Sequence, residues 1–103
     1  MRASLEECQD LAAVRRNIDR IDREVVALLV ERGAYVLQAA RFKSDAVAVR
    51  APERAAHVID GARRQAAELG GSPEVIERIY RGIVEAFTEA ELTAHGSLRR
   101  GKA

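Results

Sequence analysis

Residues 11–42 read LAAVRRNIDRIDREVVALLVERGAYVLQAARF, and as a helix they carry one seam whose spacing alternates three and four without a slip. Its members are Leu11, Val14, Ile18, Ile21, Val25, Leu28, Arg32, Tyr35, Ala39 and Phe42. Asp10 stands ahead of it as an N-cap. A second row runs alongside through Arg15, Asp19, Asp22, Val26, Leu29, Gly33, Val36, Ala40 and Lys43, so the middle of the helix presents a broad apolar face. Arg16, Arg20, Arg23, Glu24 and Glu31 fall on the solvated side. About 32 residues of helix extend roughly 48 Å, longer than a small domain is wide.

Beyond Phe42 the periodicity fades. Ser44 to Ala51 reads as a loop ending before Pro52, whose fixed φ biases its predecessor away from helix. Pro52 suits the first position of a second helix through about Leu69, with Ala55, Val58, Ile59, Ala62, Ala66 and Leu69 inward and Gly70 and Gly71 as its stop. Ser72, Pro73 and Glu74 open a third, whose stripe of Ile76, Tyr80, Ile83, Phe87, Ala90 and Ala94 runs to His95, with Gly96 as C-cap. The expectation is an all-α chain of three helices, one long and two shorter, in a single domain with flexible termini at about 1–9 and 97–103. Alone, the long helix would expose half of its apolar face; two copies pairing along it would cover that face.

Composition narrows the function classes. The chain has 103 residues, 48% hydrophobic and 32% charged, with two Tyr, two Phe and no Trp, which suits close-packed helices of Val, Ile, Leu and Ala. Seventeen basic against 16 acidic side chains leave a net charge of +1, and no overall field to attract nucleic acid or anionic lipid. Acidic residues near the N-terminus, no apolar run of membrane-spanning length and the single Cys8 point to a reduced, cytoplasmic protein.

Arg32 interrupts the seam where an apolar side chain belongs, and a guanidinium there is costly unless an anion meets it. Lys43 follows eleven residues later, a net helical rotation of about 20° and a rise of roughly 16 Å, so both can lean toward one small ligand. Arg15 precedes Arg32 by seventeen residues, about 26 Å, too far for one metabolite to bridge. If it serves the same pocket, it must come from another subunit, as an antiparallel pairing of this helix would arrange. Plainer roles stay open: Arg15 as a surface residue beside Arg16, Lys43 as a partner of the helix dipole, Arg32 as a buried cation paired with Glu85 or Glu91.

Arg15 in Val-Arg-Arg-Asn-Ile-Asp-Arg-Ile-Asp, Arg32 in Leu-Leu-Val-Glu-Arg, Lys43 in Ala-Arg-Phe-Lys-Ser and Arg54 in Ala-Pro-Glu-Arg resemble the signature of the all-helical chorismate mutases, over roughly Leu11 to Ala94. Arg-Phe-Lys, a short loop and Ala-Pro-Glu-Arg are most similar to the isochorismate-pyruvate lyases that form salicylate. The resemblance implies an intertwined homodimeric bundle acting on a small dicarboxylate enol ether, with no cofactor and no metal. It implies that the partner subunit's Arg15 and the local Arg32 hold carboxylates in planar forks, that Lys43 donates to the ether oxygen, and that Arg54 closes over the substrate beneath a lid at Ser44 to Ala51. Because the chemistry is pericyclic, the protein fixes a conformer and stabilises charge on the ether oxygen, so Arg32, Lys43 and the third-helix donor carry catalysis. His57 and His95 are then helix-surface residues, and Cys8 has no role.

Two positions depart from the family. Glu91 occupies the place where glutamine commonly serves as second donor to the ether oxygen, so it must be protonated in the working complex, and turnover should rise toward acidic pH. Alternatively, Glu91 pairs with a basic neighbour and takes no direct part. Ala55 follows Arg54 where mutases often carry an acid, which favours a lyase-like pocket; the glutamate departs from the lyases too, which leaves a mutase for chorismate or its amino analogue open. Two non-enzymatic classes compete. A nucleic-acid binder would use Arg15, Arg16, Arg20 and Arg23 with a basic tail, but Asp19, Asp22 and Glu24 interleave and no stacking aromatics accompany them. An interaction module would leave Arg32 without a ligand.

Overall fold

The structure, a computed structural model, describes residues 5–101. It contains α1 (Leu11–Ala40), α2 (Ala46–Arg50), α3 (Pro52–Glu68) and α4 (Pro73–Gly101), with no strand among the described residues. By their contacts the residues fall into two units, Met1–Tyr35 and Val36–Ala103, with α1 continuous from one into the other.

Local chemistry sets each boundary. Asp10 caps α1, its Oδ1 accepting from the Ala13 N–H at 2.8 Å, an arrangement that contributes about 1 kcal/mol. The helix tightens to an end through three successive i→i+3 bonds: Arg41 N–H to the Gln38 carbonyl (3.1 Å), Phe42 to Ala39 (3.0 Å) and Lys43 to Ala40 (3.4 Å). The regular helix therefore stops short of Phe42, which is 82% exposed. The expected loop holds one further turn of helix, α2, because Asp45 caps it, accepting from the Ala48 N–H at 2.9 Å. Ala51 closes α2 and opens α3 with a left-handed backbone (φ 35°, ψ 64°) immediately before Pro52.

The α3–α4 connection is a Schellman turn: the Gly71 N–H donates to the Ala66 carbonyl (2.8 Å) and the Gly70 N–H to Ala67 (3.1 Å). Gly70 sits at φ 78°, where a side chain would be strained. Ser72 then caps α4 through the Val75 N–H at 3.2 Å. α3 packs on α4, and α2 packs on α4 as well. The expected inner rows are buried or half-buried from Ala55 to Ala66 and from Ile76 to Phe87, whereas Leu69 and Ala90 are exposed. Among the described residues the buried apolar ones are the small Ala40, Val49 and Ala66.

One expectation about the termini changes. Gly96 does not end the last helix, which continues through Gly101; interior glycine costs only about 1 kcal/mol, and the arginines that follow are good helix formers. At the other end, the Asn17 amide reaches Glu6 Oε1 and Cys8 Sγ, each at 3.4 Å, so the stretch before Asp10 touches the start of α1. The expectation of flexibility at 1–4 and 102–103 lies outside the described residues. Along α1, Leu11, Val14, Ile18, Ile21, Val25 and Leu28 are all exposed in the single chain. Among the described residues, no helix is long and apolar enough to cross a membrane.

Candidate active site

Where α1 ends, four carbonyls lose their helical partners, and Lys43 follows as the chain turns away. α4 meets it with three polar side chains, Glu91, His95 and Arg99, spaced i, i+4 and i+8 and so stacked along one face. Lys43 Nζ lies 2.7 Å from Glu91 Oε2, as an ion pair whose carboxylate side chain is 7% exposed and whose ammonium side chain is 27% exposed. His95 Nε2 lies 2.8 Å from the Lys43 carbonyl oxygen. A carbonyl only accepts, so Nε2 carries the hydrogen. Arg99 Nη1 donates to the Ser44 carbonyl.

Beside this row lies an open cleft of about 480 Å³, with Arg41, Phe42, Lys43, Ser44, His95 and Arg99 in its wall. That wall contains several cations and no acid. Its chemistry suits an anion with an apolar body.

The expected site residues are distributed as follows. Lys43 and Glu91 are brought together, by the pairing with a basic neighbour that the sequence left as the alternative for Glu91. Arg54 stands exposed in the first turn of α3. Arg15 is exposed and Arg32 half-buried, both on α1 within Met1–Tyr35, about 26 Å apart along the axis. His57 is exposed, as expected. His95 is not a surface residue: it is 5% exposed, as is Glu91. The signal for it was present in the sequence, since Phe87, Glu91 and His95 continue one row of the third helix at intervals of four.

A second charged group, unforeseen from the sequence, occupies the opposite end of α4. Arg63 of α3 reaches Glu77 Oε1 (2.8 Å) and Glu74 Oε2 (3.3 Å), and Arg81 grips Glu77 Oε2 through Nη2 (2.7 Å) and Nε (3.1 Å). The hydrogen bond from Arg81 holds the Glu77 carboxyl below its usual 4.5 against an upward push from desolvation, with a smaller hydrogen bond from Arg63 assisting.

Residues 14–92 match the type II chorismate mutase family. The chain belongs to that family. It is thus an enzyme of the chorismate mutase kind. Among curated relatives it is 37% identical to the isochorismate pyruvate lyase of Pseudomonas aeruginosa, over 84% of this chain and 86% of that one. It is 32% identical to the T-protein of Enterobacter agglomerans, over 77% of this chain. It is also 32% identical to the bifunctional chorismate mutase/prephenate dehydratase of Aquifex aeolicus, over 81% of this chain. It spans only 22% and 24% of those last two proteins.

Proposed function

We propose that the chain works as a homodimer that cleaves isochorismate into salicylate and pyruvate. The observation that carries this reading is coverage: the likeness to the isochorismate pyruvate lyase runs nearly end to end on both chains, while the other two relatives align over about a quarter of their length. The exposed apolar row of α1 supports the dimer, because a monomer has no use for such a face in water. The single cysteine suits a cytoplasmic setting.

In this reading Arg32 and the partner subunit's Arg15 fork the two carboxylates, and Arg54 closes over them. Lys43 donates to the ether oxygen. Its ammonium has three N–H groups, so one can face Glu91 while another faces substrate. As the ether bond breaks, the ring hydrogen beside the hydroxyl moves to the enolpyruvyl methylene, pyruvate leaves as a keto acid and the ring becomes aromatic. Glu91 contributes by holding the Lys43 ammonium in place through their ion pair. The step needs held geometry and charge stabilisation, with no covalent intermediate.

A second reading, conversion of chorismate to prephenate, is favoured by the shared identity with the bifunctional chorismate mutase/prephenate dehydratase. Incubating purified protein with each substrate separately and separating the products by chromatography decides between them. Salicylate and pyruvate in equal amounts are expected; prephenate alone would establish the second reading, and neither product would overturn both.

A further inference from the structure

Among the described residues the buried charged and polar side chains are Glu91 and His95, each 5% exposed and one helical turn apart. The reading above gives Glu91 a task and His95 none. Burying an imidazole is expensive unless a partner meets it, and a leucine would pack on α4 more cheaply. His95 spends its Nε2–H on the backbone carbonyl of Lys43. That carbonyl and the next, of Ser44, accept from no backbone N–H among the described residues. Both are met instead from α4, by His95 and Arg99.

We propose that His95 is a positioning residue for the reaction: its bond to the Lys43 carbonyl, between Glu91 one turn before and Arg99 one turn after, fixes the backbone from which the Lys43 ammonium reaches the substrate. The inference rests on the proposed role of Lys43 as donor to the ether oxygen. Lysine has a long flexible stem, and Glu91 restrains only its tip. Unless the Cα is also held, the ammonium can follow the carboxylate without being set against anything else. α4 grips Lys43 at both ends and Ser44 at its carbonyl, so the start of the segment leading into α2 is fixed to the helix that carries Glu91. A misplacement of about 1 Å in a reacting group lowers turnover by as much as a hundredfold.

The test compares His95→Gln with His95→Asn in the full chain. The glutamine amide nitrogen lies as many bonds from Cα as Nε2 and can donate to the same carbonyl, whereas the asparagine nitrogen takes the place of Nδ1 and falls short. One measurement needs no substrate. The chain has two lysines, Lys43 and Lys102, so a lysine-specific protease acting on native protein reports at Lys43–Ser44 on the very carbonyl that His95 holds. Cleavage there should accelerate roughly tenfold in His95→Asn and stay within about threefold of wild type in His95→Gln, with circular dichroism confirming that both fold. The second measurement is steady-state turnover. In His95→Asn kcat should fall by about tenfold or more with KM little changed, and His95→Gln should recover most of it.

Equal behaviour of the two variants in both measurements, or faster cleavage in His95→Asn with wild-type kcat, would overturn the proposal. If His95→Asn fails to fold, a His95→Gln protein with lost kcat and fast cleavage at Lys43 does so as well. A wild-type chain that converts neither substrate would sink the proposed function, and cleavage alone would then decide whether His95 restrains Lys43.

Discussion

α1 and α4 are nearly equal in length, 30 and 29 residues, but they complete their polar and apolar groups in different ways. α4 buries Glu91 and His95 and meets them with partners in its own unit, and its apolar stripe is half-covered by α3. α1 buries only Ala40, leaves seven members of its seam exposed and carries Arg15 in solvent. One helix is finished within the chain; the other would need something outside it to cover its apolar row. If that something is a second copy, groups on α4 should respond to substitutions in the same chain, and groups on α1 should respond to substitutions in the neighbour.

The severest effect is expected at Lys43. Lys43→Met removes the donor and should lower kcat/KM by about three orders of magnitude. It also strands Glu91, at a stability loss of about 3 kcal/mol in denaturant melts. Adding Glu91→Gln should restore stability without turnover; recovery of both would place the chemistry elsewhere. Next come Arg15→Ala and Arg32→Ala, each expected to lower kcat/KM by about a hundredfold with folding preserved. Mixed in equal amounts and allowed to exchange, the two variants should regain about a quarter of wild-type activity, because half of the dimers then hold one intact site. No regain on mixing, despite proven exchange, would erase the contrast between the helices.

Glu91→Gln alone is a smaller change. An amide can donate to the ether oxygen where a carboxylate cannot, so Glu91→Gln should raise kcat/KM several-fold. An unchanged kcat/KM would remove Glu91 from the chemistry. Smallest is the acid at the other end of α4. Folded Glu77 binds its proton more weakly than in the unfolded chain, so its contribution to stability is complete above about pH 4.5 and disappears as pH falls through the lowered value. Glu77→Gln should therefore lower Tm slightly at pH 7 and make no difference near pH 2; a Tm gap that widens on acidification would contradict this.

The seam, the caps at Asp10 and Ser72 and the stop at Gly70–Gly71 were legible because each is a local signal with one dominant outcome. The turn at Asp45 was obscured by the fading of hydrophobic period over a few residues, although the cap itself stood in plain view. Gly96 misled because a glycine near a helix end reads as a stop, whereas contacts made further along by Arg99 keep the helix going. His95 was missed for another reason. Its partner is a backbone carbonyl, which has no signature in side-chain patterns, and only the placement of the α1 terminus against α4 gives the imidazole a purpose.

Ala51 has one more consequence. An alanine in the left-handed region forgoes about 1 kcal/mol of torsional comfort, and here it keeps α2 and α3 from fusing into a single rod. The stretch ahead of it therefore ends against a stiff corner rather than a swivel. Ala51→Gly would ease the corner itself, yet it would also grant that stretch latitude to wander, so a protein relaxed there should become less exact in its chemistry.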